Sequence, residues 1–188
     1  MTTGLLLLSG GRGTRMGAPK HELRHPAGGS WSGHLLRVFR SLCPEGPVWI
    51  LGEPIPEHPD LPRLDDERQG PAAALRAWCR LPVPDVDRWW VVGCDQVRWT
   101  SARLASWIER ADTVDPGAEA WILARQEGHL QPLGGFLPSR WRALIAERTE
   151  TSLLRLVEPV PHRILDVTGP EWRDVDTPEE RLAFEGEP

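Results

Sequence analysis

The uncharged run Thr3-Gly4-Leu5-Leu6-Leu7-Leu8 passes directly into Ser9-Gly10-Gly11. Four consecutive leucines with no polar alternation do not suit a strand with one wet face. The run therefore predicts a strand covered on both faces, as at the centre of a parallel sheet. Like every apolar run in the chain, it is far shorter than the ~20 residues that cross a bilayer. No basic start precedes a signal-like stretch, so neither a membrane span nor secretion is expected. A covered strand that ends on glycines is the opening of an α/β unit, and the following sequence repeats that unit.

Leu35, Val38, Phe39 and Leu42 recur at i, i+3, i+4 and i+7, predicting an amphipathic helix over 31–43. Val48-Trp49-Ile50-Leu51, between Pro47 and Gly52, reads as a second covered strand, which implies a right-handed parallel crossover. Pro71 suits the first turn of a helix with Leu75, Trp78 and Cys79 on one face, and a strand is expected over 89–94. Thr100 is a candidate N-cap for a helix carrying Leu104, Trp107 and Ile108. Strands at 120–124, 132–136 and 163–167, helices at 139–147 and 152–157, and a terminal helix after Pro178 complete the pattern. The alternation predicts one domain over 1–188, a three-layer αβα sandwich around a Rossmann-like, mostly parallel sheet, with ligands at the carboxyl ends of its strands. Segment 53–70, rich in proline and acidic residues, is expected to be a long functional loop.

Composition excludes several functions. A net charge of −5 gives no field favouring nucleic acid. Three cysteines, Cys43, Cys79 and Cys94, with no CxxC argue against a disulfide framework or a cysteine-rich zinc module and point to a reducing cytoplasm. Ten tryptophans accompany no tyrosine, but they are scattered, and several lie in apolar runs such as Trp89-Trp90-Val91-Val92, so core packing is expected rather than base stacking. Lys20 is the only lysine among 22 basic residues, which suggests a position that needs a compact ammonium rather than a guanidinium.

Lys20 closes the segment that follows the first strand, Leu8-Ser9-Gly10-Gly11-Arg12-Gly13-Thr14-Arg15-Met16-Gly17-Ala18-Pro19-Lys20. Its glycines allow close backbone approach, successive N–H groups can cradle phosphate oxygens, and Arg15 and Lys20 can neutralise their charge. A polyphosphate site is the economical reading, the alternative being an ordinary glycine-rich turn with solvated charges. The segment lacks the Gly-Lys-Ser/Thr of a P-loop, and Gly11-x-Gly13-x-x-x-Gly17 misses the dinucleotide fingerprint. Asp95 ends the apolar 89–94 strand, where its carboxylate is suited to hold Mg²⁺. Asp174 and Asp176 are candidates to complete that site, although Thr177-Pro178-Glu179-Glu180 also reads as an ordinary capping box.

The glycine-rich segment resembles the signature L-x-G-G-x-x-x-R-M-G-x-x-K of nucleotidyltransferases that move a nucleoside monophosphate onto a phosphate. Within that superfamily the chain is most similar to the molybdenum cofactor guanylyltransferases. Gln69-Gly70-Pro71-Ala72-Ala73-Ala74-Leu75 resembles their G-P-L-A-G-L, Val91-Val92-Gly93-Cys94-Asp95 their strand ending in C-D, Gln131-Pro132-Leu133 their Q-P-L, and Asp174-Val175-Asp176-Thr177-Pro178-Glu179-Glu180 their closing N-x-N-T-P-E-D. The resemblance implies Mg²⁺-dependent transfer of GMP from GTP to the terminal phosphate of molybdenum-bound molybdopterin, with molybdoenzymes as recipients of the product. It places the nucleotide on Leu8, Ser9, Gly10, Gly11, Arg12, Gly13, Gly70 and Pro71, its phosphates on Lys20, and its base or ribose on Asp65 or Asp66, with Asp65 preferred. It implies catalytic roles for Arg15, Lys20 and Asp95, and metal binding by Asp95 and Asp176.

Two departures widen the choice. Gln96-Val97 replaces the family's frequent Met-Pro, and the D-x-D-T-P-E ending is common in the related cytidylyltransferases, so this end of the chain points to CTP. Gly10-Gly11 and Gly70-Pro71 point to GTP, and the guanylyl reading is taken. A sugar phosphate as acceptor and an inactive nucleotide-binding protein are the alternatives. His21-Glu22-Leu23-Arg24-His25 matches the H-E-x-x-H letters of zinc proteases, but Pro19, Pro26 and nearby glycines oppose the helix that chemistry requires.

Overall fold

A computed structural model describes residues 1–10, 16–65 and 69–186. Its first strand, β1 (Thr3–Ser9), is buried at every residue, as the leucine run requires. Strand alternation divides that run between two cores. Leu5 and Leu7 meet one helical layer, whereas Leu6 and Leu8 meet the other. Each buried leucine contributes roughly 1.5–3 kcal/mol relative to exposure.

The remaining strands are β2 (Val48–Gly52), β3 (Arg63–Leu64), β4 (Arg88–Gly93), β5 (Trp121–Gln126), β6 (His129–Pro138) and β7 (His162–Asp166). Among the described residues they form one sheet in the order β3-β2-β1-β4-β6-β5-β7. All pairings are parallel except those of β6, which runs antiparallel to both β4 and β5. The reversal is local. Glu127 and Gly128, both at positive φ, turn β5 directly into β6, which leaves no room for a crossover helix.

Helices α1 (Trp31–Arg40) and α3 (Ser101–Val114) cover one face, and α2 (Pro71–Cys79), α4 (Arg142–Ala146) and α5 (Leu153–Val157) cover the other. Ser30 and Thr100 cap α1 and α3 by accepting the N–H groups of Gly33 and Arg103. The final helix, α6 (Pro178–Glu185), starts on the expected capping box of Thr177 and Glu180. None of these helices is long and apolar enough to cross a membrane.

Several boundaries differ from the sequence reading by a few residues, and two differences have a clear local cause. Helix α1 ends at Arg40 because Ser41 Oγ donates to the Val38 carbonyl and Pro44 follows closely. Segment 53–70 is not all loop, since Arg63 and Leu64 add the edge strand β3 in register with Ile50 and Leu51. A two-residue strand has too few alternating positions to be legible in sequence.

The tryptophans are core residues, eight of the ten being buried. Trp90, Trp99, Trp172 and Trp107 meet edge to face in succession at centroid distances of 5.4, 4.9 and 4.8 Å. Trp90 and Trp107 both donate their indole N–H to the Gly134 carbonyl. Gly134 must be glycine, because its φ is +85° and a Cβ would lie 2.5 Å from Trp172.

Candidate active site

Strand β1 is followed in the sheet by β2 on one side and β4 on the other. The chain changes direction across the sheet between β1 and β4, so the loops leaving their carboxyl ends diverge and leave a crevice. A cavity of about 620 Å³ opens there. Its walls come from Leu8 and Gly10 after β1, Leu51–Glu53 after β2, Asp65, Gly70, Pro71 and Ala74 at the start of α2, Gly93–Asp95 after β4, and Leu133 on β6. It combines apolar walls with few polar groups, which suits a base and sugar, and its volume is in the range of small-molecule sites.

Backbone geometry shapes this space. Gly52 has a φ of +108°, and a Cβ there would strike the Ser9 carbonyl at 2.6 Å. Gly70, with a φ of +90°, turns the chain into α2 so that Pro71 occupies the first helical turn. The positive end of α2 therefore faces the cavity and favours a negative ligand. At Gly93 a Cβ would lie 2.5 Å from Asp95 Oδ1, so the Asp95 carboxylate can lie back over β4 only because residue 93 has no side chain.

Beside the cavity, Lys20 joins two loops distant in sequence. Its ammonium donates to Asp95 Oδ2 at 3.0 Å and to Asp176 Oδ1. The Lys20 and Asp95 side chains are mostly buried, at 14% and 25% exposure, while that of Asp176 is half exposed at 52%. Burial pulls the Lys20 pKa down, but Asp95 and Asp176 together outweigh it and raise the pKa above its ordinary value, keeping the ammonium charged. Asp174 stands beside this group. Crowding by protein, reinforced by the negative charges of Asp95 and Asp176, pushes its carboxyl up to about 7 against the opposing pull of Lys20. Cys94 lines the cavity, yet burial pushes its thiol well up, so it is a neutral wall and no nucleophile.

The loops are held from behind. The Val175 N–H donates to the Asp95 carbonyl at 3.1 Å, tying the closing loop to the end of β4. The Glu180 carboxylate accepts from the N–H groups of both Asp176 and Thr177. A small third core of Met16, Leu23, Trp31, Val97, Val175 and Phe184 binds together the segments that carry Lys20, Asp95 and Asp176. Above it the rings of His25 and His34 stack at 3.5 Å, and their Nε2 atoms contact the carbonyls of Val97 and Trp99. Burial drives His34 down to about 4, aided by the neighbouring His25. As neutral rings, each can donate an Nε2–H to its carbonyl and pin the loop after Asp95. His21 lies within a single 3₁₀ turn, Lys20–Glu22, after which Leu23 is extended. His21 and His25 therefore share no helical face, and the H-E-x-x-H letters build histidine packing instead.

Of the residues singled out in the sequence, Leu8, Gly10, Asp65, Gly70, Pro71 and Asp95 line the cavity, and Lys20 and Asp176 adjoin it through Asp95. Ser9 is fully buried on the opposite face of β1, and its carbonyl accepts the Glu53 N–H, so its side chain does not line the cavity. Asp65 stands on the exposed rim, paired with Arg63 at 2.7 Å. Gly11, Arg12, Gly13, Arg15 and Asp66 lie outside the described residues. Glu53, Leu51 and Leu133 were not singled out. Leu133 belongs to the recognised Gln131-Pro132-Leu133 segment, whereas Glu53 carries no signal beyond following a strand.

Asp95 and Asp176 converge on one ammonium, so two hard oxygen donors already face a common point. Among the described residues no three His, Cys, Asp or Glu side chains form a ready cage. This donor set fits an ion such as Mg²⁺ or Mn²⁺, which takes one or two carboxylates and completes its shell with phosphate and water. It does not fit a zinc centre.

Comparison with known proteins agrees with this fold. Residues 5–164 match the family model for the MobA-like NTP transferase domain. The chain is 28% identical over 190 residues to a probable molybdenum cofactor guanylyltransferase of Rhodopirellula baltica, covering 92% of this chain and 87% of that protein. It is 29% identical over 187 residues to the molybdenum cofactor guanylyltransferase of Pseudomonas syringae pv. syringae, covering 93% and 89%. The fold superposes on the crystal structure of Rv0371c from Mycobacterium tuberculosis with a TM-score of 0.71 at 22% identity, covering 99% of each chain. Rv0371c has also been solved as a complex with manganese, which superposes with a TM-score of 0.68 at 19% identity.

Proposed function

The chain belongs to the MobA-like NTP transferase family, and from that premise we propose that it transfers GMP from GTP to the terminal phosphate of molybdenum-bound molybdopterin and releases pyrophosphate. The observation that carries this reading is the contact of one nucleotide-sized cavity with one ammonium and two carboxylates through a single residue, Asp95. The choice of GTP and of the pterin rests on the two named relatives, both guanylyltransferases of this cofactor.

The base and ribose would occupy the cavity between Leu8, Leu51, Ala74 and Leu133, with Asp65 at its rim. The triphosphate would then run past Gly10 toward Lys20. An oxygen of the acceptor phosphate forms a bond to the α-phosphorus as the bond to the bridging oxygen of the β-phosphate breaks. The acceptor is already an anion, so no general base is required, and positioning and charge neutralisation carry the rate. Lys20 would neutralise the departing pyrophosphate, and Arg15 is placed by the sequence to share that task. Asp95 and Asp176 would hold Mg²⁺, which when bound supplies positive charge to the reacting phosphates. The fixed loops behind Asp95 keep its carboxylate from reorganising as charge moves.

Titration calorimetry with GTP and CTP, each with and without Mg²⁺, tests the nucleotide. Preference for GTP that requires Mg²⁺ and weakens in Asp95→Asn supports the proposal. Preference for CTP transfers it to cytidylyl chemistry, and binding of GTP without pyrophosphate release on the molybdenum-bound pterin would defeat the claim of catalysis.

A further inference from the structure

The ammonium of Lys20 stands where the donor chemistry of Asp95 and Asp176 would put a divalent cation. We propose that Lys20 is an internal counter-cation that keeps this seat in the free protein and must withdraw before a divalent ion can enter. The metal and the nucleotide then load together rather than in either order. The inference deepens the proposed reaction and rests on that reading for the identity of the nucleotide.

The geometry separates one movable group from a fixed frame. Asp95 is held by its own carbonyl, which accepts the Val175 N–H, and by the turn that the Gln96 N–H makes to the Gly93 carbonyl. Gly93 is the only residue type that leaves Asp95 its present rotamer without a clash. Asp176 is held through its N–H by Glu180 Oε2 at 2.7 Å. The Lys20 backbone is held as well, because its carbonyl accepts the Leu23 N–H at 3.2 Å. What remains free is the four-carbon stem of Lys20, whose rotation moves the ammonium without moving any backbone.

The charges require some cation at this point. Asp95 and Asp176 approach one another with Asp174 close behind, and Lys20 is the cation recorded between them. Two cations then compete for the seat, and bare metal must displace a bonded ammonium to bind. A triphosphate changes that balance, since it brings several negative charges to the neighbouring cavity and offers the ammonium another partner. Lys20 can leave for the phosphates while the metal takes its place, so one side chain couples the two ligands. The same geometry accounts for a lysine here in a chain whose other cations are arginine. A planar guanidinium would engage each carboxylate in a fixed fork and release it less readily.

The coupling has a measurable size. If the carboxylates are free of Lys20 a tenth of the time or less, apparent metal affinity is lowered about tenfold or more, and removing the ammonium restores it. The test uses MnCl₂ alone, with free Mn²⁺ followed by electron paramagnetic resonance, on wild type, Lys20→Met and Lys20→Gln. Circular dichroism melting confirms that each variant is folded. Lys20→Gln retains two N–H donors for the carboxylates but not the charge. Both variants are expected to bind Mn²⁺ about tenfold more tightly than wild type without nucleotide. Adding GTP without an acceptor should tighten Mn²⁺ binding to wild type more than to either variant. Equal or weaker Mn²⁺ binding by both folded variants would overturn the inference. If GTP fails to bind wild type while the variants still gain Mn²⁺ affinity, the counter-cation stands and the guanylyl reading falls. If GTP binds normally and Mn²⁺ affinity does not rise in the variants, only the counter-cation falls.

Discussion

His34 provides a stability test of how the site loops are held. Its ring is 9% exposed, stacked on His25, with Nε2 2.8 Å from the Trp99 carbonyl, and burial lowers its pKa from 6.5 to about 4. A group with a depressed folded pKa binds more protons when unfolded, so stability falls as pH drops from 6.5 toward 4. The difference of 2.5 units corresponds to about 3 kcal/mol in total, of which about 2 kcal/mol is lost between pH 7 and pH 5. His25 is shifted the same way by burial and is present in both proteins of the comparison. Asp174 works in the opposite direction, because its raised pKa makes the folded state bind a proton more readily through the same range. The measurement is therefore a difference. Urea unfolding at pH 7 and pH 5 is compared for wild type and His34→Gln, whose amide can still donate to the Trp99 carbonyl. The stability advantage of wild type over the variant should shrink by about 2 kcal/mol on going to pH 5. A constant difference would refute the claim that a neutral His34 pins this loop.

Lys20→Ala should lower turnover by about 10²-fold or more, read as pyrophosphate release, with circular dichroism melting to check that the variant stays folded once Asp95 and Asp176 lose their ammonium. Gly93→Ala puts a methyl group 2.5 Å from Asp95 Oδ1, so it should weaken Mg²⁺-dependent GTP binding in calorimetry more than it lowers the melting temperature. Phe184→Ala removes the contacts of α6 with Trp31 and His25 and should cost about 3 kcal/mol in urea unfolding. In carboxyl-carbon NMR of the free protein, Asp174 should titrate near 7, as crowding by surrounding protein and its two acidic neighbours favour. A midpoint near 4 would show that Asp174 is not crowded by Asp95 and Asp176.

Much of the architecture follows from local patterns. Leu5–Leu8 and Trp89–Val92 demand coverage on both faces whatever surrounds them, and the caps at Thr100 and Thr177 are written in a few adjacent residues. The glycine-rich segment, Gly70-Pro71, Asp95 and the closing aspartates are likewise legible, because phosphate and metal chemistry restrict residue type at short spacing. The antiparallel direction of β6 and the edge strand β3 are not legible. Strand direction depends on whether the connection is a turn or a crossover, and a two-residue strand has no period to read.

The site divides along the same line. Sequence alone determined that a covered central strand leads into a phosphate-suited loop ending in a solitary lysine, and that acidic residues end one later strand and precede the last helix. Tertiary structure decided that Asp95 and Asp176, 75 and 156 positions from Lys20, both pair with its ammonium. It also decided that Ser9 faces away from the cavity, that Glu53 lines it, and that His21 and His25 are packing residues. Contacts across such separations depend on strand order and on the loops being packed against Trp31, Val175 and Phe184. No local spacing records them, since they arise only when the sheet brings the ends of β1 and β4 side by side.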